Sequence, residues 1–158
     1  MTLTEAQPSD LEGSGHDDKT VLLLDDDATT LLVLHAVLER TNTRVIECED
    51  EKCAIRRCNE SGQCIDLLVA DVVLKRTNGP AVAKQIRLSQ PLMRLLFISG
   101  FSLTELERRG LLGREDMVPG RVEFLQKPFA PEVFLETVEK LLSARRTSGT
   151  AGAGGEMG

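Results

Sequence analysis

The seven residues Ile65-Asp66-Leu67-Leu68-Val69-Ala70-Asp71 form a short apolar run that delivers a carboxylate at its last position. The run is long enough for one buried strand. A second run, Val21-Leu22-Leu23-Leu24, ends the same way, in Asp25-Asp26-Asp27. Strands apolar on both faces belong to parallel sheets, whose faces are covered by helices. In open sheets of that kind, ligands bind outside the carboxyl ends of the strands, where the strand order reverses. The two runs therefore predict an acidic pocket at that edge. Carboxylates gathered there repel one another unless a positive charge sits among them, and hard oxygen ligands suit Mg²⁺.

Working outward, Asp27 stands where a helix N-cap is wanted, ahead of a helix from Ala28 to Arg40. That helix has more apolar positions than one core-facing stripe needs, and the excess suggests a docking surface beside the pocket. Arg44–Cys48 reads as a second strand and Glu51 to Asn59 as a short second helix. After Asp71 a loop ends in the turn residues Asn78-Gly79-Pro80, followed by a third helix from about Ala81 to Leu88. Arg94–Ser99 is a fourth strand, and a fourth helix runs from about Leu103 to Leu111. An irregular segment, Gly113 to Gly120, leads to a fifth strand, Val122–Leu125. Lys127-Pro128-Phe129 ends it, and Pro131 to Leu142 is an amphipathic helix with proline at its start. Five β/α units in succession predict a single α/β domain.

Glu5, Asp10, Glu12, Asp17 and Asp18 carry much of the formal charge of −6, with no Lys or Arg among the first eighteen residues. The sequence divides into an acidic disordered segment (1–18), one folded domain (19–145) and a Gly/Ala-rich disordered segment (146–158). The folded part is close to neutral and shows no basic stripe, and Trp and Tyr are absent, so nucleic acid is not expected as a partner. No apolar run is long enough to span a membrane, and a cytoplasmic location is expected. Cys48, Cys53, Cys58 and Cys64 are then expected as reduced thiols. Their C-x₄-C-x₄-C-x₅-C spacing lacks the C-x₂-C pair of a zinc site, and Cys53 and Cys58 read as small apolar residues of the second helix. His35 reads as a helix surface residue.

Strands one, three, four and five end in Asp25/Asp26, Asp71, Ser99 and Lys127. Right-handed crossovers bring these ends to one edge. Carboxylates for a metal, one hydroxyl and one ammonium suit the handling of a phosphoryl group. There is no Gly-rich phosphate loop, so nucleotide binding is not supported.

This ordered set resembles the receiver domain of bacterial two-component response regulators. The wording of Asp71-Val72-Val73-Leu74, Leu96-Phe97-Ile98-Ser99-Gly100-Phe101 and Phe124-Leu125-Gln126-Lys127-Pro128-Phe129 is similar to receivers of hybrid sensor histidine kinases. The resemblance covers about Lys19 to Arg145. It implies a flavodoxin-like, doubly wound, five-stranded parallel sheet in the order 2-1-3-4-5 with five helices. It implies Asp71 as phosphoacceptor, taking a phosphoryl group from a sensor histidine kinase or a histidine phosphotransfer protein. Asp26, Asp71 and the Val73 carbonyl would hold Mg²⁺ directly and Asp25 through water. Lys127 would pair with the phosphoryl oxygens, with a cis bond to Pro128. Ser99 would hydrogen-bond the phosphoryl group, and Phe124 would turn inward, as the switch pair. The signal would leave through the face formed by the fourth helix, fifth strand and fifth helix.

Two positions depart from the family pattern. Lys75 stands where proline is common, which implies a looser loop after Asp71 and an added positive charge. Phe124 lacks a hydroxyl, so any switch there works through packing. The function expected is that of a single-domain response regulator, not an enzyme acting on outside substrates. It signals to an unnamed downstream protein through altered contacts. The alternatives are a phosphorylation-independent interaction module on the same fold and a small Mg²⁺-dependent phosphatase or phosphotransferase acting on an outside substrate, for which no substrate pocket or acid/base residue is visible.

Overall fold

The computed structural model describes residues 18–60, 62 and 64–143. The end segments read as disordered lie outside the described residues, apart from Asp18. In chain order the elements are β1 (Lys19–Leu24), α1 (Ala28–Leu38), β2 (Thr43–Cys48), α2 (Glu51–Asn59), β3 (Leu67–Asp71), α3 (Gly79–Ile86), β4 (Arg94–Ser99), α4 (Leu103–Arg108), a 3₁₀ turn (Arg114–Asp116), β5 (Val122–Gln126) and α5 (Pro131–Ser143). All strand pairs are parallel, and the sheet order is β2-β1-β3-β4-β5. The expected fold class and strand order are therefore observed.

The sheet divides the core in two, because successive side chains of a strand point to opposite faces. Leu22, Leu24, Leu68 and Phe97 face one layer, where residues of α2, α3 and α4 cover them. Val21, Leu23, Val69 and Ile98 face the other, covered by α1 and α5. Burying a side chain such as Leu23 or Phe134 completely contributes roughly 1.5–3 kcal/mol each, so the paired apolar faces anchor the strand register. At the amino-terminal edge of the sheet, the buried Asp66 carboxylate accepts the Thr20 N–H at 2.8 Å, joining the start of β1 to the chain entering β3.

Side-chain caps start the helices where the strands end. Asp27 accepts the Thr29 N–H at 3.1 Å and the Thr30 hydroxyl at 2.9 Å, as the N-cap reading requires. Asp50, Asn78 and Ser102 cap α2, α3 and α4 in the same way. Several boundaries differ by one to three residues from the sequence reading, and three of the differences bear on the site or on a turn. The central strand starts at Leu67 rather than Ile65, and α3 starts at Gly79 rather than Ala81. The fourth helix stops at Arg108, because Gly110 adopts φ +74°, a conformation that glycine reaches without a Cβ penalty.

The expectation of four reduced thiols is corrected. Cys48, the last residue of β2, and Cys53, in the first turn of α2, form a disulfide with Cα atoms 5.5 Å apart. Cys58 and Cys64 take no part in this disulfide, the first buried and the second exposed. Sequence spacing alone could not show that the turn after β2 folds back far enough to bring these two sulfurs together. Among the described residues, no helix is long and apolar enough to cross a membrane.

Candidate functional site

Because every strand runs the same way, Asp25, Asp71, Ser99 and Lys127 arrive at one edge of the sheet at the ends of β1, β3, β4 and β5. The register carries this through: Ala70 lies opposite Leu24, Asp71 opposite Ile98, and Ser99 opposite Gln126. The Asp25 N–H donates to the Cys48 carbonyl at 3.1 Å, and the Lys127 N–H to the Ser99 carbonyl at 2.8 Å. These bonds hold the pocket's backbone just past the last strand pairs.

The side chains converge on one ammonium. Lys127 Nζ lies 3.5 Å from Asp71 Oδ2 and 3.6 Å from Asp25 Oδ2. The two carboxylates are largely buried, with side chains 5% and 14% exposed for Asp25 and Asp71 respectively. Burial pushes the Asp25 carboxyl up to about 6, helped by the charges of Asp71 and Asp26 and opposed by the Asp27 N–H and Lys127. Burial also raises Asp71, while the Lys127 charge and the Val73 N–H pull it back down. The Lys127–Pro128 peptide bond is cis, as the resemblance implies.

Asp26 is held differently. Its Oδ2 accepts the Lys75 N–H at 2.8 Å, tying the loop after β3 to the loop after β1. A proline at this position would have no N–H to give, so the tie exists because Lys75 stands there. Val73 forms an antiparallel bridge with Asn78. The bridge bonds run from the Gly79 N–H to the Val72 carbonyl and from the Leu74 N–H to the Thr77 carbonyl, so neither uses the Val73 carbonyl. Ser99 is buried, and its hydroxyl accepts the Phe101 N–H at 3.0 Å. Phe124 is partly buried against the core layer that holds Phe97, its partner across β4 and β5.

Gly79 is a contributor that sequence reasoning saw only as turn chemistry. A Cβ built on it would sit 2.5 Å from the Asp71 carbonyl oxygen, so α3 approaches the end of β3 only because no side chain intervenes. Its signal is a tertiary contact, and no local pattern carries it.

The donor chemistry fits a hard divalent cation: Asp25, Asp26 and Asp71 offer only oxygens, and the Asp25 carboxyl, raised first by burial, is raised further by the charges of Asp71 and Asp26. Among the described residues no three such groups are gathered into a ligating cluster. Lys127 bridges two of the carboxylates, and Lys75 holds the third.

The family model of the response regulator receiver domain matches residues 21–139. The chain belongs to the receiver domain family. It is 30% identical over 135 residues to the sensor kinase CckA of Brucella abortus, an alignment covering 85% of this chain and 13% of that protein. It is 26% identical over 126 residues to the response regulator receiver protein CpdR of the same organism, covering 80% of this chain and 98% of the relative. The chain thus spans a small part of one curated relative and nearly all of another. Among solved structures, a response regulator receiver protein from Sinorhizobium medicae matches with a TM-score of 0.66 at 30% identity, over 81% of this chain and 97% of that one. The kinship with CckA agrees with the hybrid-kinase wording around Asp71, Ser99 and Lys127.

Proposed function

We propose that this receiver accepts a phosphoryl group on Asp71 from a phosphohistidine of a sensor kinase or phosphotransfer protein, and passes the signal on through altered protein contacts. The observation that carries this reading is the Lys127 ammonium held between Asp71 and Asp25 at the common edge of the sheet. The ammonium opposes the rise that burial imposes on both carboxyls, in a pocket that already contains a cation for incoming anionic oxygens.

In the transfer, an Asp71 carboxylate oxygen attacks phosphorus in line with the P–N bond of the donor. The P–O bond of an acyl phosphate forms. The electron pair of the broken bond stays on the imidazole nitrogen, which takes up a proton. Lys127 moves its ion pair from Asp71 to the phosphoryl oxygens. Ser99, whose hydroxyl now accepts from Phe101, turns to donate to the same oxygens. Phe124 packs into the space this leaves. The residues that would hold Mg²⁺ are Asp26, Asp71 and the Val73 carbonyl, with Asp25 acting through water. When bound, the ion neutralises charge on the transferring group.

The test is intact-protein mass spectrometry after incubation with a small phosphodonor, with and without Mg²⁺, on wild type and Asp71→Asn. The expected result is a one-phosphoryl mass gain that requires both Mg²⁺ and Asp71. No gain in any sample would remove the phosphoacceptor reading and favour a phosphorylation-independent interaction module. The exposed Leu32 and Val33 of α1, 69% and 52% accessible, would then be the first surface to examine.

A further inference from the structure

The four cysteines of the chain are not equivalent. Cys58 is buried, and burial pushes its thiol up to about 11, which leaves it inert as a nucleophile at neutral pH. Cys64 is exposed. Cys48 and Cys53 are bonded to each other, at a Cα separation of 5.5 Å that is ordinary for a disulfide. Cys48 is buried and Cys53 partly exposed, so solvent thiols can reach this bridge from the Cys53 side.

The position of the bridge gives it consequences. The residues it spans include Glu49, Asp50 and Glu51, which line a cleft of about 440 Å³ together with Asp26, Lys75 and Thr77. At one end, the Cys48 carbonyl accepts the Asp25 N–H. At the other end, Cys53 belongs to the first turn of α2, which is otherwise tied down by Asp50. That residue's carboxylate accepts the Cys53 N–H at 2.8 Å and its carbonyl the Ala54 N–H at 3.2 Å. The bridge therefore staples the acidic cleft wall to the strand end that positions a pocket carboxylate.

We propose that Cys48 and Cys53 are a reversible thiol–disulfide site, and that its state sets the rigidity of the loop Glu49–Glu51 and of the Asp25–Cys48 backbone tie. The co-reactant is a small disulfide or thiol of the glutathione class. In the oxidising direction, the Cys53 thiolate attacks the small disulfide and expels one thiol. The Cys48 thiolate then displaces the second thiol from the mixed disulfide. The protein pair loses two electrons and two protons, and the small disulfide leaves as two thiols. In the reducing direction, a small thiolate attacks Cys53 Sγ and Cys48 leaves as a thiolate that is protonated. A second small thiol then releases Cys53. Reduction removes the covalent constraint on the loop and leaves the cap of α2 to hold it alone.

The test uses the full chain carrying Cys64→Ser, which removes the exposed thiol outside the bridge. The protein is equilibrated across a series of reduced-to-oxidised glutathione ratios, quenched in acid, unfolded, alkylated and weighed. The expected result is a cooperative change from three labels, on Cys48, Cys53 and Cys58, to one label on Cys58. Hydrogen exchange on the two forms should show the Asp25, Cys53 and Ala54 amides exchanging on the order of tenfold faster when reduced. Cys53→Ser should reproduce the reduced pattern in any buffer. Three labels at every ratio, a mixed disulfide that never resolves, or identical exchange in the two forms would each overturn the proposal. These readouts need neither phosphodonor nor metal, so they stand apart from the Asp71 reading.

Discussion

Asp25 carries a cost that the fold accepts. Its carboxyl titrates near 3.8 without the pocket and near 6 within it. Between those values the folded protein holds a proton that the unfolded chain releases. Stability therefore falls as pH rises through that window, by roughly 2–3 kcal/mol if Asp25 acts alone. Asp71 is raised in the same direction, while the exposed Asp27, lowered by its Thr30 and Thr29 bonds, works against the trend. Asp25→Asn keeps an acceptor for the Asp27 N–H, which now reaches Asp25 Oδ1 at 2.8 Å. In urea melts with a chelator present, this variant should gain about 2 kcal/mol at pH 7 and nothing near pH 4. An equal gain at both pH values would mean that the carboxyl is not the cause. The sequence made this residue legible, since a strand ending in three aspartates has few bland explanations. The bond between Asp26 and Lys75 was not legible, because it is made by a main-chain N–H that every residue except proline possesses.

At the scale of elements, β3, α3 and the loop between them form one unit. Gly79 lets the start of α3 touch the backbone of Asp71, while Asn78 caps the helix through the Ala81 N–H at 2.8 Å. Gly79→Ala forces a methyl group against a carbonyl that cannot rotate away. It should destabilise the fold by about 1–3 kcal/mol, the usual range for overpacking, and slow phosphorylation of Asp71. Gly100→Ala is the control, since a Cβ there meets nothing within 4 Å. Denaturant midpoints that move equally for both would show that the Asp71 approach is not what demands glycine. The strands β1, β3 and β4 were readable because each is an apolar run closed or followed by a polar side chain, and alternate residues serve the two core layers. The end of α4 was not, because the turn at Gly110 competes locally with a helical pattern that continues to Leu111. The bridge from β2 to α2 escaped for a related reason, since a disulfide depends on how a turn returns the chain.

For the whole molecule, five strands in parallel mean that the chemistry comes from four separate places in the chain and exists only when the sheet is complete. The ordered set of Asp25/Asp26, Asp71, Ser99 and Lys127 was informative for that reason, although no member of it is informative alone. An ion that binds only this assembled edge must stabilise the entire fold. Mg²⁺ at about 100 times its dissociation constant should add about 2.7 kcal/mol, read as a shift of the thermal midpoint. Asp26→Ala should abolish the shift, and superimposable melts with and without Mg²⁺ would remove the metal from the account. Lys127 limits how far this dependence goes. Its ammonium belongs to the chain and cannot be chelated, diluted or exchanged out of the pocket. On the proposed reading, a shortage of the ion would silence the site without dismantling the protein, which would make metal supply a permissive signal for activity and leave folding to the polypeptide.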